Sequence, residues 1–357
     1  MLRAPIQTAR QAGLHYRPAE TGGFRRQKRG KGFSILDTHG RPVKNKRVLQ
    51  RVRSLAIPPA YKNVWITADP RAHLQATGRD ARGRKQYRYH PRWREVRDGD
   101  KFEEMIEFAR LLPLIRRTTH RHLGLAGLPR PKVLATVVQL LERTLIRVGN
   151  EEYARDNHSY GVTTLQNRHV RIFGAHLRFK FTGKSGVPHD VELDDSRLAR
   201  IIQNCRELPG HDLLQYLDEN GQVHSIGSSD VNAYLKEITG AEITAKDFRT
   251  WAGTVQAARL LSAVEREASQ RKNKVAMNEA IGAVARQLRN TPTICRKCYI
   301  HPAVLEAYVG GVPILTQFRE PARKAGRVSA RPAYSLSALE REVLAFVRKS
   351  HRKNTSY

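Results

Sequence analysis

The spacing of apolar residues divides the chain near residue 100. Beyond it, Phe102, Met105, Ile106, Phe108, Ala109 and Leu112 recur with helical period. The strongest pattern runs from Pro129 to Val148. Pro131 suits a helix start, Val133, Leu134, Val137, Val138, Leu141, Leu145 and Val148 form a core stripe, and Gly149 suits the residue after the end. Further helices are expected at Arg197–Glu207, where Asp194-Asp195 can cap, at Ser229–Ile238, at Lys274–Leu288 and at Ser335–Lys349. Another should begin at Thr244, with Asp247 in place of the usual Glu of a capping box. Before residue 100 the runs are short and β-compatible: Phe33–Leu36, Val64–Thr67 and Gln86–Tyr89, separated by turn signals such as His39-Gly-Arg-Pro. Three more strands fall at His169–Phe173, His176–Phe181 and Val187–Leu193, and a hairpin at 213–226 turns at Glu219-Asn-Gly221.

These patterns predict an α+β protein. Residues 1–30 read as a basic flexible arm, 31–97 as a small β-rich domain, 101–318 as a larger, mainly α-helical domain and 319–357 as a basic, peripheral C-terminal extension. Asp98-Gly-Asp100 marks the expected hinge.

Charge narrows the choice of partner. The 357 residues carry 64 Lys and Arg against 33 Asp and Glu, a formal net charge of +31. Residues 1–100 hold 24 basic against 7 acidic side chains, net +17. Such a field draws the chain to polyanions, and nucleic acid is the expected partner, although an enzyme and a coating protein would share it. No apolar run approaches the ~18 residues a membrane span needs, and the first residues lack the apolar core of a signal peptide. Three cysteines make no disulfide framework, which fits a reducing cytosol. Cys295-x-x-Cys298 has only His301 nearby as a further ligand, so it reads as two ordinary thiols rather than a metal site.

The candidate chemistry lies near the C-terminus, in Leu288-Arg-Asn-Thr-Pro-Thr-Ile-Cys-Arg-Lys-Cys-Tyr-Ile-His-Pro302. Thr291 is a suitable N-cap and Pro292 a suitable first helical residue, so a short helix should start there, with Pro302 closing it. Tyr299 then sits two turns in, after Arg296 and Lys297, whose charge would favour a phenolate. Upstream, Lys184 occupies a hairpin tip in Phe181-Thr-Gly-Lys-Ser-Gly186, which lacks the spacing of a Walker loop. In Gln86-Tyr87-Arg88-Tyr89 the alternation puts Gln86 and Arg88 on one strand face and the tyrosines on the other. The amide and guanidinium could read base edges and the tyrosines hold phosphates.

Asn290-Thr-Pro-(x)6-Tyr299-(x)2-Pro302 resembles the nucleophile segment of the poxvirus-type DNA topoisomerases IB found in bacteria. Other motifs of that family follow in the right order, from about Gly30 to Tyr308. Ile57-Pro-Pro-Ala-Tyr61 and Gln86-Tyr-Arg-Tyr89 resemble its N-terminal DNA-contact motifs. Arg147-Val-Gly-Asn-Glu-Glu-Tyr153 resembles its first arginine motif, the Lys184 hairpin its catalytic lysine, and Lys246-Asp-Phe-Arg-Thr-Trp251 its second arginine motif. The resemblance implies catalytic roles for Tyr299, Arg147, Lys184, Arg249 and Asn290, and DNA contacts at Gln86, Tyr87, Tyr89, Tyr153 and Lys246. It implies two domains that clamp duplex DNA, in a monomer working in the cytoplasm at the nucleoid, with neither ATP nor metal nor another cofactor. Asn290 departs from the viral members, which carry a histidine there; an amide donates a hydrogen bond but carries no charge.

The chemistry suits the residue types. Reversible strand cleavage must store the phosphodiester bond covalently, as a tyrosine ester does. Arginines match the charge that develops on the phosphate oxygens, and a lysine in a cationic site can protonate the leaving 5′-oxygen. Two alternatives share part of the pattern. A tyrosine recombinase or integrase would usually carry a histidine where Lys246 stands, and a non-catalytic DNA-coating protein would have no reason for the five spaced residues.

Overall fold

The computed structural model describes residues 5–30, 32–81, 83–316 and 334–354. It divides into two compact units, residues 1–103 and 104–357. The first contains α1 (Pro5–Gln11), β1 (Phe24–Arg29), β2 (Gly32–Leu36), α2 (Lys46–Ser54), β3 (Lys62–Ile66), β4 (Leu74–Arg79) and β5 (Lys85–Tyr89). Helix α3 (Pro91–Leu123) starts in the first unit and ends in the second. It includes Asp98-Gly-Asp100, where the sequence suggested a hinge.

The strands form one antiparallel sheet in the order β2-β1-β3-β4-β5. Its core is Ile35, Val64, Ile66 and Ala76, covered by Val52, Val48 and Leu49 of α2. Asn45 caps α2, its side chain accepting from the backbone of Arg47 and Val48. Residues 24–29, expected within a flexible arm, instead pair with β2 and β3. Phe-Arg-Arg-Gln-Lys-Arg has one apolar residue and so no alternation to detect; backbone pairing holds it. Arg26 of this strand also donates to the carbonyls of Ile57 (3.1 Å), Pro58 (3.0 Å) and Tyr61 (2.6 Å), fixing the Pro-Pro loop, whose prolines have no N–H to pair.

The second unit continues with α4 (Arg130–Thr144), α5 (Glu151–Asn157), β6 (Val170–Phe173), β7 (His176–Thr182), β8 (Pro188–Asp194), α6 (Ser196–Arg206), β9 (Gln215–Leu217), β10 (Val223–Ser225), α7 (Ser228–Thr239), α8 (Ala245–Ser262), α9 (Gln270–Gln287), α10 (Pro292–Cys298), α11 (Pro302–Gly310) and α12 (Ala338–Asn354). Strands β6, β7 and β8 form an antiparallel sheet, and β9 pairs with β10. Helix α8 is central, packing on α4, α7, α9, α11 and α12.

Helix α12 corrects the expectation of a peripheral extension. Val343 and Val347 are fully buried, and Glu340 joins a half-buried network. There Arg116 bridges Glu142 (2.6 Å) and Glu340 (2.8 Å), and the Trp251 indole donates to Glu340 (3.3 Å). Residues 319–333 lie outside the described residues. Among the described residues, no helix is long and apolar enough to cross a membrane.

Candidate active site

Helix α10 forms for the reason its sequence suggests: Thr291 Oγ1 accepts from Ile294 N (3.3 Å) and Pro292 occupies the first turn. Pro302, expected to close this segment, instead opens α11, where His301 Nδ1 caps by accepting from Ala303 N (3.1 Å). Tyr299 therefore sits half-buried at the joint of two short helices. Arg296 and Lys297 are exposed. The cation against the phenol comes from elsewhere: the Arg249 guanidinium carbon lies 5.3 Å from the Tyr299 ring centroid.

Helix α8 presents this arginine. Its start is fixed by Asp247, whose carboxylate accepts from Thr244 N and Thr244 Oγ1, both at 2.8 Å, so Asp closes the box in place of Glu. Arg249 is 3 % exposed. It donates to the carbonyls of Leu145 and Leu288 (2.6 Å for the latter), and its buried Nε has no partner among the described residues. Burial, then the nearby Arg147 charge, lowers its pKa, while the Tyr299 phenol acts in the opposite sense. One turn on, Gly253 admits the Tyr299 backbone: a Cβ there would lie 2.6 Å from the Tyr299 carbonyl oxygen. Thr254 Oγ1 donates to that same oxygen (3.4 Å) and accepts from His301 N (3.1 Å).

Arg147 lies beyond its helix. Helix α4 stops at Thr144, earlier than the apolar stripe suggested, because Leu145 turns left-handed (φ 55°) and its carbonyl is taken by Arg249. Thr144 Oγ1 donates back to Leu140 O (2.5 Å) and accepts from Ile146 N (3.3 Å), a local alternative to another helical turn. The half-buried Arg147 is then held by its carbonyl, which accepts from Val162 N (2.8 Å). Gly161 makes that approach possible, since a Cβ would come within 2.5 Å of the Arg147 oxygen.

Lys184 is exposed at the tip between β7 and β8, beside left-handed Ser185 (φ 65°). The hairpin is tied on both sides. Tyr160 N donates to Thr182 O (2.9 Å), in the segment that pairs with Arg147, and Arg289 donates to Asp190 O (2.7 Å). Asn290 follows directly; its amide oxygen accepts from Thr291 N (3.1 Å), which leaves the NH2 as its donor end. The structure thus sets the Arg249 guanidinium beside Tyr299 and within the field of Arg147, and ties the Lys184 hairpin to the residue before Asn290.

Sequence reasoning missed His189, one residue before the carbonyl that Arg289 binds. It is 3 % exposed, stacks on Phe181 (centroids 4.6 Å, 21°), and neither ring nitrogen has a partner among the described residues. Burial and the fields of Arg289, Arg147 and Arg249 push its pKa down to about 4. The signal was present in strand β8, where His189 is the one fully buried position. The alternation of Val187, His189, Val191 and Leu193 puts it on the apolar face of the strand, where a polar residue could have been flagged.

The DNA-contact candidates fall in both units. On β5, Tyr87 and Tyr89 are exposed (45 % and 36 %) and stack on each other (6.1 Å). Gln86 and Arg88 are half-buried instead, the amide donating to Asp80 (3.0 Å) and the guanidinium to Ala56 O (3.1 Å). The face first assigned to base reading is therefore committed to the protein, and the tyrosines are the open face. In the second unit Tyr153 is exposed just after Asn150, whose side chain caps α5 through Tyr153 N (2.9 Å); Lys246 is exposed in the first turn of α8. Cys295 is buried, with its thiol pKa raised by burial, and Cys298 is half-buried. No cluster of three His, Cys, Asp or Glu residues able to hold a metal occurs among the described residues.

Comparison with known proteins covers nearly the same span. Residues 90–323 match the family model of the eukaryotic DNA topoisomerase I catalytic core, and residues 32–80 that of the bacterial DNA topoisomerase IB N-terminal domain. DNA topoisomerase 1B of Acanthamoeba polyphaga mimivirus is 31 % identical over 295 residues, 80 % of this chain and 87 % of that one. DNA topoisomerase 1B of Vaccinia virus (strain Copenhagen) is 26 % identical over 152 residues, 42 % of this chain and 48 % of that one. DNA topoisomerase 1 of Mycosarcoma maydis is 24 % identical over 217 residues, 53 % of this chain and 21 % of that one.

Proposed function

The chain belongs to the type IB DNA topoisomerases, enzymes that change DNA topology, and from that premise we propose that Tyr299, Arg147, Lys184, Arg249 and Asn290 are its strand-cleaving site. Tyr299 Oη attacks the scissile phosphorus, the 5′-oxygen departs, and a 3′-phosphotyrosyl ester keeps the bond for resealing after the free strand swivels. Lys184 donates the proton to the leaving oxygen. Arg147 and Arg249 stabilise the charge on the non-bridging oxygens, and Asn290 adds a neutral donor. Each preorganised donor of this kind lowers the barrier by about 3 kcal/mol. Neither ATP nor a metal ion enters this sequence of steps. Tyr87, Tyr89, Tyr153 and Lys246 serve as DNA contacts, with Gln86 holding the Asp80 turn behind the tyrosines. Both units contact duplex DNA, and the protein acts as a monomer in the cytoplasm, at the nucleoid.

One observation carries this reading. Arg249 spans residues far apart in sequence, holding Leu145, two residues before Arg147, and Leu288, two before Asn290, while its own carbon lies 5.3 Å from the Tyr299 ring. A coating protein has no use for such a convergence. Tyr299→Phe removes one oxygen and leaves shape and apolar surface nearly intact. The variant should bind end-labelled duplex as the parent does, yet give no covalent adduct on a denaturing gel and relax no supercoils. The parent should form the adduct equally well in EDTA. Adduct from the Phe variant would refute the nucleophile, and loss of activity in EDTA would refute the metal-free chemistry.

A further inference from the structure

We infer that His189 is a positioning residue for Lys184: its neutral imidazole braces the Gly183–Lys184 tip and supplies an acceptor that orients the lysine when it turns to the leaving oxygen. This rests on the reading of Lys184 as the proton donor. The geometry begins with the register of the hairpin, in which Phe181 stands opposite His189 and their rings stack at 4.6 Å. The hairpin closes through Gly183 N to Val187 O (2.8 Å), so Gly183 crosses directly over the ring. A Cβ at Gly183 would overlap His189 Nε2 and lie 2.6 Å from Cδ2. The φ of Gly183 is −96°, a value open to any residue, so the glycine is required by the imidazole edge and not by the backbone. The nitrogen edge of the ring therefore faces the one bond that carries Lys184 out of the sheet.

Charge decides which form the ring takes. Arg147, Arg249 and Arg289 all act on it, and a fourth positive charge among them is strongly disfavoured in a buried place. A neutral imidazole keeps one nitrogen as an acceptor, and an ammonium group is a donor only. Both ring nitrogens are buried without partners among the described residues, a costly arrangement for a group with no polar task. Because Arg289 holds the next carbonyl, Asp190 O, the strand that carries the ring is tied to the residue before Asn290.

The test separates proton donation from other losses. A duplex with a sulfur in place of the bridging 5′-oxygen, at a site mapped with the parent enzyme, has a leaving group that needs no proton. His189→Phe keeps the stack on Phe181 but has no acceptor; Gly183→Ala presses the ring from the other side and keeps it. Both should cut the ordinary duplex roughly 10–100-fold more slowly in single turnover with duplex affinity near the parent's, and His189→Phe should also keep an unfolding midpoint near the parent's. Both should return to within about threefold of the parent on the sulfur duplex, since the missing step is proton donation. His189→Gln, which restores a polar atom near Nε2, should recover part of the ordinary rate. A His189→Phe protein as fast as the parent, or equally slow on both duplexes, would overturn the inference. If Lys184→Ala itself is not recovered by sulfur, the reading of Lys184 fails first, and the inference falls with it.

Discussion

At the scale of single residues, Arg249 and His189 show how burial changes what a charged group can do. A surface arginine could be removed at little cost to the fold. Arg249 is buried and satisfies two carbonyls at helix ends, those of Leu145 and Leu288. Arg249→Ala should therefore abolish most strand cleavage and also lower stability by about 3–6 kcal/mol, since each of the two hydrogen bonds from a charged donor contributes about 1.5–3 kcal/mol. Urea unfolding alongside single-turnover cleavage checks both; a variant with parental stability would show that the carbonyls find other donors. His189 makes an acid-side prediction. Its pKa is about 4 in the fold against 6.5 for an ordinary histidine, so the unfolded chain binds the proton first as pH falls. Its contribution is whole above pH 6.5 and is lost between 6.5 and about 4, amounting to about 3 kcal/mol at roughly 1.4 kcal/mol per unit. Other buried histidines add slope, so the quantity to measure is the difference between parent and His189→Gln, which should shift by that amount in the variant's favour as pH falls across the window. Equal slopes would place the titration elsewhere.

At the scale of elements, α8 organises the site by one face. Arg249 and Gly253 are four residues apart and hence stacked along the helix, and Thr254 follows. Gly253 is in an ordinary helix, where glycine is unfavourable relative to alanine by up to about 1 kcal/mol. Gly253→Ala should nonetheless reduce cleavage, because its Cβ would push the Tyr299 carbonyl, 2.6 Å away, and break the Thr254 contact. The expected effect is a loss of 10-fold or more in single-turnover rate, on the order of 1.4 kcal/mol or more in the barrier, with duplex affinity unchanged. A faster or equal variant would mean that Tyr299 tolerates the shift. Much of this element was legible beforehand: the Thr244–Asp247 box, the Thr291-Pro292 start and the Lys184 hairpin all follow from local chemistry. The end of α4 was not, because the residue that captures Leu145 O is over a hundred positions away. Helix α12 was misplaced for a similar reason. Its amphipathic pattern shows that one face is buried but not against what, and the answer lies in Arg116 and Trp251. The strand at residues 24–29 left no apolar signature at all.

At the scale of the whole molecule, the excess of 64 basic over 33 acidic side chains and the few residues of the site do separate work. The excess charge is spread through both units, as at the exposed Lys28 and Arg29 in the first and the exposed Lys246 in the second, and it suits the repeating charge of a phosphate backbone. Salt should therefore weaken binding steeply. If six to ten phosphates are neutralised, affinity for duplex falls roughly 10³–10⁵-fold between 50 and 200 mM salt. The cleavage step should respond differently. Arg249 is buried and Arg147 half-buried, and charges withdrawn from solvent are screened much less than exposed ones. Tyr299→Phe measured by anisotropy gives binding without chemistry, and the parent in single turnover at saturating enzyme gives chemistry without binding. The first should fall along a straight line in log affinity against log salt, while the saturated rate changes less than about threefold over the same range. Relaxation under multiple turnover should then rise at first with salt, as release of product DNA accelerates, and fall once binding becomes limiting. A saturated rate that drops in parallel with affinity would place exposed lysines and arginines in the cleavage step itself, and the proposed division between an arginine pair withdrawn from solvent and a basic surface for grip would have to be abandoned.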